Sequence, residues 1–147
     1  MIFALFLPTI AVAQTSSSPI NPDITETVFR YQFLHNGSAQ QTNASVYFIR
    51  LPGGDPSAEF MDRFKGSDPR VKKASQARTD TETITDKETG QKGLVFYIMT
   101  CTMRGTNKAT VAGGYLEGGE SSAHNTYFLE KKAGKWTVLS HTTGAES

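Results

Sequence analysis

The sequence predicts an α+β domain: a curved antiparallel sheet, built as a meander, with N-terminal helices packed on one of its faces. Two observations carry this expectation. Apolar residues recur at helical spacing near the N-terminus, whereas from about residue 80 they recur at period two almost to the end. Helices first and strands afterwards is the order of an α+β chain, not of alternating βαβ units.

The first helix is expected to open at Asp23, with Glu26 three residues on in capping-box register. Ile24, Val28, Tyr31 and His35 then share a face that Phe29 and Phe33 widen. Asn36-Gly37 closes it, because glycine readily takes the left-handed backbone needed past a helix end. "ASVYFIRL" reads as a strand with Val46, Phe48 and Arg50 on one side and Tyr47, Ile49 and Leu51 on the other. A short helix follows, with Asp55 as N-cap, Pro56 at its first position, Gly66 as its stop, and Phe60 and Phe64 to bury.

"TETITD" is a modest strand of the meander. "LVFYIMTCTMR" is a long one, apolar on both faces and therefore central and covered twice. "KATVAGGYLEGG", "HNTYFLEKK" and "KWTVLSH" follow, with Gly113-Gly114 and Gly118-Gly119 placed to allow a bulge or bend. A tight turn at Ala133-Gly134 sets Leu129 opposite Val138 and Lys131 opposite Trp136, with Tyr127, Leu129, Trp136 and Val138 on one face. On the long strand, alternation puts Leu94, Phe96 and Ile98 on one face and Val95, Tyr97, Met99 and Met103 on the other. Two short helices cover only one of these faces, so a back-to-back homodimer is expected to cover the second.

With 147 residues, the chain suffices for one cored domain without disulfide or metal staples. A net charge of +1 gives it no general attraction to nucleic acid or anionic lipid. Charge is uneven along the chain. Arg63, Lys65, Arg70, Lys72, Lys73 and Arg78 stand against Asp68 alone, and Asp80, Glu82, Asp86 and Glu88 follow, so the two segments are expected to neutralise each other in solvent.

"MIFALFLPTIAVAQTSSSP" contains a short apolar run ending in Ala11-Val12-Ala13, the small-x-small pattern that a signal peptidase cuts. Residues 1–13 are therefore expected to be an export signal, 14–22 a flexible tether, 23–142 the domain and 143–147 a tail. The expected destination is the periplasm or the exterior. The apolar run is too short to span a bilayer as a helix. Cys101 is the single cysteine, so no intrachain disulfide forms, and its place in a strand suits a buried thiol.

The stretch "ATVAGGYLEGGESSAHNTYFLEKKAGKWTVLS" resembles the C-terminal meander of the nuclear transport factor 2-like superfamily. The run from Tyr127 through Leu129, Gly134, Lys135 and Trp136 to Val138 carries the likeness. "FRYQFLHN", "VYFIRL" and "DPSAEFMDRFKG" also resemble exported bacterial proteins that share this meander. The resemblance implies a cone-shaped α+β fold. Isomerases, dehydratases, small-ligand binders and interaction modules all belong to that superfamily, so the fold leaves the function to the site.

The chain has no Gly-rich phosphate loop before a helix, no nucleophile elbow and no metal-ligand spacing. His35, His124 and His141 lie far apart in sequence, and neither a metal nor a cofactor is implied. The polar groups a curved sheet would aim inward are Tyr31, His35, Tyr97, Cys101, Tyr115, Glu117, His124 and Tyr127. Alternation pairs Tyr97 with Cys101 on one face, and likewise Tyr115 with Glu117. By the resemblance, a catalyst would use Glu117, His35 or His124 to move a proton while a tyrosine stabilises an oxyanion. As a binding wall, the set is Tyr31, His35, Tyr97, Tyr115, Glu117 and Tyr127. The leading expectation is a non-enzymatic exported domain that binds a small apolar ligand or an envelope protein through a concave sheet, and neither binds nucleic acid nor spans a membrane. The alternatives are a proton-transfer enzyme of the isomerase or dehydratase kind and a self-assembling envelope module.

Overall fold

A computed structural model describes residues 20–144. The expected export signal and most of the tether lie outside them, as do residues 145–147. The elements run α1 (Pro22–Leu34), β1 (Val46–Arg50), α2 (Ala58–Asp62), β2 (Arg70–Lys73), a 3-10 turn (Ala74–Gln76), β3 (Ala77–Thr79), β4 (Ile84–Asp86), β5 (Gly93–Arg104), β6 (Lys108–Leu116), β7 (Ser122–Lys132) and β8 (Lys135–Thr143). The architecture is α+β with a mostly antiparallel sheet. Its six strands are ordered β2-β1-β5-β6-β7-β8. β5 to β8 form the antiparallel meander, and β1 joins it parallel to both β5 and β2.

α1 starts earlier than Asp23. The Asn21 side-chain oxygen accepts the N–H of Asp23 at 2.9 Å and of Ile24 at 3.4 Å, and Pro22, whose missing N–H is no loss there, takes the first helical position. α2 is capped by Ser57, whose Oγ accepts the Phe60 N–H at 3.1 Å. Asp55, the expected cap, instead accepts the Ser75 N–H and hydroxyl, which ties the loop after β1 to the turn after β2.

One face of the sheet is an aromatic layer under α1. Ile24, Val28 and Phe29 are buried on Tyr47, Ile49, Leu94, Phe96 and Tyr127, and Phe60 and Phe64 close the side. Ring centroids lie 5.0 Å apart for both Phe33–Phe96 and Tyr47–Phe96, the close edge-on contacts that the ring quadrupole favours. Burying one such ring contributes about 1.5–3 kcal/mol.

The long strand breaks its own alternation. A bulge between Ile98 and Thr100 leaves Met99 unpaired, so Cys101 opposes Val111 and Met103 opposes Ala109, on the face of α1. Tyr97 and Cys101 therefore do not share a face, and Met103 does not join Val95 and Tyr97. The extra residue reverses every side chain after it. Glycine is required opposite, because a Cβ on Gly113 would collide with the Tyr97 carbonyl.

The second face is covered by a segment with no counterpart in the expected layout. "TETITD" does not join the meander: β4 pairs with β3 as a separate hairpin, which brings Ile84 and Ala77 onto Val46, Phe48 and Val95. Lys72 pins the hairpin. Its Nζ lies 2.7 Å from Asp86, both side chains are buried, and Glu88 adds a contact at 2.9 Å. Of the basic segment, Lys72 pairs with Asp86 and Glu88 of the acidic one, the Asp86 contact out of solvent, whereas Arg63 pairs with Asp23 and Glu26 and Lys65 with Asp62. The bare face behind the homodimer expectation is thus bare only in part. Beyond the hairpin it carries Thr100, Thr102, Thr110, Thr126 and Thr142, with Met99, Phe128 and Leu139 exposed. Among the described residues, no helix is long and apolar enough to cross a membrane.

Candidate functional site

α1 ends where Tyr31 and His35, one turn apart, stack with ring centroids 4.1 Å apart. The His35 Nδ1 lies 3.0 Å from the Tyr31 carbonyl oxygen, which can only accept, so Nδ1 carries a proton and donates it. In the neutral ring, Nε2 is then the acceptor. The Tyr31 hydroxyl reaches Nδ1 of His141 on β8 at 2.8 Å. Asn125 on β7 and Tyr115 on β6 complete a cleft of about 180 Å³, with the Tyr115 hydroxyl lying against Gly37. A second cleft of about 200 Å³ continues past Tyr115 and Gly37 to Glu117 and Ser121.

Beneath the cleft lies a buried polar hub. The Tyr127 hydroxyl accepts the amides of Gln32 and Asn125, each at 3.1 Å, and Gln32 also donates to the Gly114 carbonyl at 3.3 Å. Burial pushes the Tyr127 hydroxyl up from its ordinary pKa, against the smaller pull of those two amides, so it stays neutral. The Gln32 side-chain oxygen, Oε1, is buried with no hydrogen-bond partner among the described residues. Tyr127 holds α1 to β7 from below, and only 1% of it is exposed, so it does not line the cleft.

The remaining residues do not converge there. Tyr97 lies on the opposite face, its hydroxyl 3.2 Å from the Ala123 carbonyl and 3.3 Å from Nδ1 of His124. It can lie there because residue 114 is glycine, where a Cβ would sit 2.8 Å from the Tyr97 hydroxyl. Burial raises the Tyr97 hydroxyl, and the Arg50 guanidinium, 5.6 Å from the ring centroid, pulls it back in part. Glu117 does share a cleft with Tyr115, but its oxygens accept the Ala39 N–H at 3.1 Å and the Ser121 hydroxyl at 3.0 Å, so it straps the loop after α1 to the turn after β6. Cys101 is half-buried on the α1 face, and desolvation raises its thiol, which keeps it protonated.

His141 is the residue that sequence reasoning missed. Alternation from Trp136 and Val138 would turn it to the far face. A bulge at Leu139 places it opposite Tyr127 instead, on the α1 side. No periodicity signals that bulge.

The space between α1 and the sheet is filled by Phe29, Phe33, Tyr47, Phe96 and Tyr127, so an apolar ligand finds no room in the interior. A wider open trough of about 750 Å³ runs past Phe33, Leu34, Tyr47 and Pro69. Among the described residues, no group of three His, Cys, Asp or Glu stands close enough to hold a metal ion. No protein family, curated protein or solved structure matches the chain. The cleft offers imidazole, amide and hydroxyl groups, which suit a small ligand rich in hydroxyl, carbonyl or carboxylate groups.

Proposed function

We propose that the protein is an exported, non-enzymatic binding domain of the nuclear transport factor 2-like kind, cone-shaped, which takes a small polar ligand at the cleft where α1 meets the ends of β7 and β8. One observation carries the reading: His35, Tyr115, Asn125 and His141 converge on one cleft from four separate elements. Binding is favoured over proton transfer by Glu117 because its carboxylate accepts the Ala39 N–H and the Ser121 hydroxyl, a structural use that ties two loops together. His124 lies across the sheet from the cleft. Export rests on the Ala11-Val12-Ala13 site. The superfamily kinship rests on the β7–β8 register, Leu129 opposite Val138 and Lys131 opposite Trp136, and on α1 lying along the sheet. In this proposal, self-association into a homodimer uses the half of the second face where Met99, Phe128 and Leu139 stand exposed.

Amide chemical-shift mapping with a panel of sugars, hydroxy acids and amino acids tests the site. The expected result is saturable shifts confined to His35, Asn125, His141 and their neighbours, weakened roughly tenfold by His141→Ala. Shifts that instead trace the trough at Phe33, Leu34 and Tyr47, indifferent to His141→Ala, would overturn it.

A further inference from the structure

The meander sorts charge by end. Where β5 turns into β6 and β7 into β8, Arg104, Lys108, Lys131, Lys132 and Lys135 are all exposed, with Glu130 the one carboxylate among them. The two tips are joined, since the Lys131 N–H donates to the Asn107 carbonyl at 2.7 Å. At the other end of the same strands, roughly 30 Å away at a strand rise of about 3.3 Å per residue, Asp80, Glu82, Glu117 and Glu120 gather around the β6–β7 turn, with Lys92 lining one cavity beside Glu82 and Glu117. The Gly119 and Glu120 amides donate to the Asp80 and Thr81 carbonyls there. A chain that is nearly neutral overall is therefore strongly polar from end to end.

We propose that the paired β5–β6 and β7–β8 tips dock the protein onto an anionic phospholipid surface. The cations wrap the end of the sheet on both faces. Arg104, Lys108 and Glu130 lie in one cross-strand row on the outer face, and Lys131 lies beside Trp136 on the α1 face. A collar of this kind fits a plane that the tip points into. A nucleic-acid strand needs a groove with stacking aromatics along one side, which the tip lacks. The apolar groups sit inside the collar: Met103 is exposed, and Trp136 is half-buried with the Lys131 ammonium 6.0 Å from its ring. Tryptophan between apolar and charged surroundings belongs at headgroup depth, and lysines beside it add attraction to anionic lipid. The acidic far end turns away from the same surface, so the field also orients the molecule.

Trp136 is the only tryptophan in the chain, so its emission reports on the tip alone. The full-length chain is mixed at low salt with vesicles of phosphatidylglycerol and phosphatidylcholine, or of phosphatidylcholine alone, and followed by co-sedimentation and emission. The expected result is salt-sensitive binding to the anionic vesicles in excess of the neutral ones, with a blue shift of Trp136. At roughly fivefold per cation, Lys131→Glu/Lys132→Glu/Lys135→Glu weakens that excess at least a hundredfold. Lys65→Glu/Arg70→Glu/Arg78→Glu, which changes net charge equally elsewhere, largely keeps it. Both variants retain the N-terminal apolar run, so binding by that run cancels, and circular dichroism checks their fold. Equal loss in both variants, binding that salt does not weaken, or an unmoved Trp136 would overturn the proposal. So would capture of duplex DNA without vesicle binding, or end-to-end self-association through the tip in place of vesicle binding.

Discussion

Against one face of the sheet, α1 lays Ile24, Val28 and Phe29 on a layer of aromatic rings. Against the other, the β3–β4 hairpin brings little more than Ile84 to Val46, Phe48 and Val95, and is pinned by Lys72 to Asp86. The first cover is broad and non-directional, and it stabilises in proportion to the area it removes from water. The second has too little apolar area to act that way. It relies on a charge pair whose desolvation is costly unless the geometry is met, so it selects one placement of the hairpin more than it adds stability. One face holds the domain together; the other fixes where a small hairpin sits.

The largest expected effect tests the first cover. Phe96 is fully buried between Phe33 and Tyr47, so Phe96→Ala should cost about 3–5 kcal/mol and lower the urea midpoint of the whole domain. Hydrogen exchange should quicken across α1 and β5 to β7 together. Loss confined to one element would mean the aromatic layer is not a single cooperative unit.

Lys72→Met comes next, at about 3 kcal/mol, because it leaves the Asp86 carboxylate buried without its cation. Here exchange should quicken first over residues 74–90, the hairpin and its flanks. Adding Asp86→Leu to the same chain should recover most of the stability, since an apolar pair has no charge to strand. A double variant as unstable as the single one would show that the ion pair is not what sets the hairpin's place.

The smallest effect is that of pH on the pair. Burial raises the Asp86 carboxyl, but hydrogen bonds from Lys72, the Glu88 N–H and the Thr89 hydroxyl outweigh it and hold the group below its ordinary pKa. A lowered carboxyl contributes stability that is present above the unfolded value and lost as pH falls through the folded one. Hydrogen bonds to Asp86 and Glu88 raise the Lys72 ammonium in turn, so its contribution is lost only as pH climbs past the ordinary lysine range. Urea titrations from about pH 6 to about pH 2 should therefore show a loss in the native chain that the Lys72→Met/Asp86→Leu variant lacks. Parallel curves for the two chains would assign the acid loss to other carboxylates.

How much of this was legible varied with the distance between the residues involved. The two sides of β1 and the β7–β8 register follow from alternation and a two-residue turn, both local, and the structure has them as read. β2 went unread because an edge strand of Arg-Val-Lys-Lys, short and charged, looks like a solvated loop. The site was half legible. His35, Tyr115 and Glu117 line the two adjoining clefts and Tyr31 only contacts His35 and His141 beside them, whereas Tyr97 and His124 lie across the sheet, and His141 was hidden by the bulge at Leu139.

The sequence by itself determined that a helix precedes the sheet, that β5 to β8 form the meander and that Phe29, Phe60 and Phe64 are buried, because periodicity and turn chemistry act between near neighbours. Only the tertiary structure decided where the bulges at Met99 and Leu139 fall, since a bulge belongs to a pair of strands and not to either one. It alone placed Lys72 on Asp86 beneath a hairpin. It also gathered Arg104, Lys108, Lys131, Lys132 and Lys135 at one end of the sheet, because antiparallel strands return distant parts of the chain to the same end, where charges scattered in sequence add into one field.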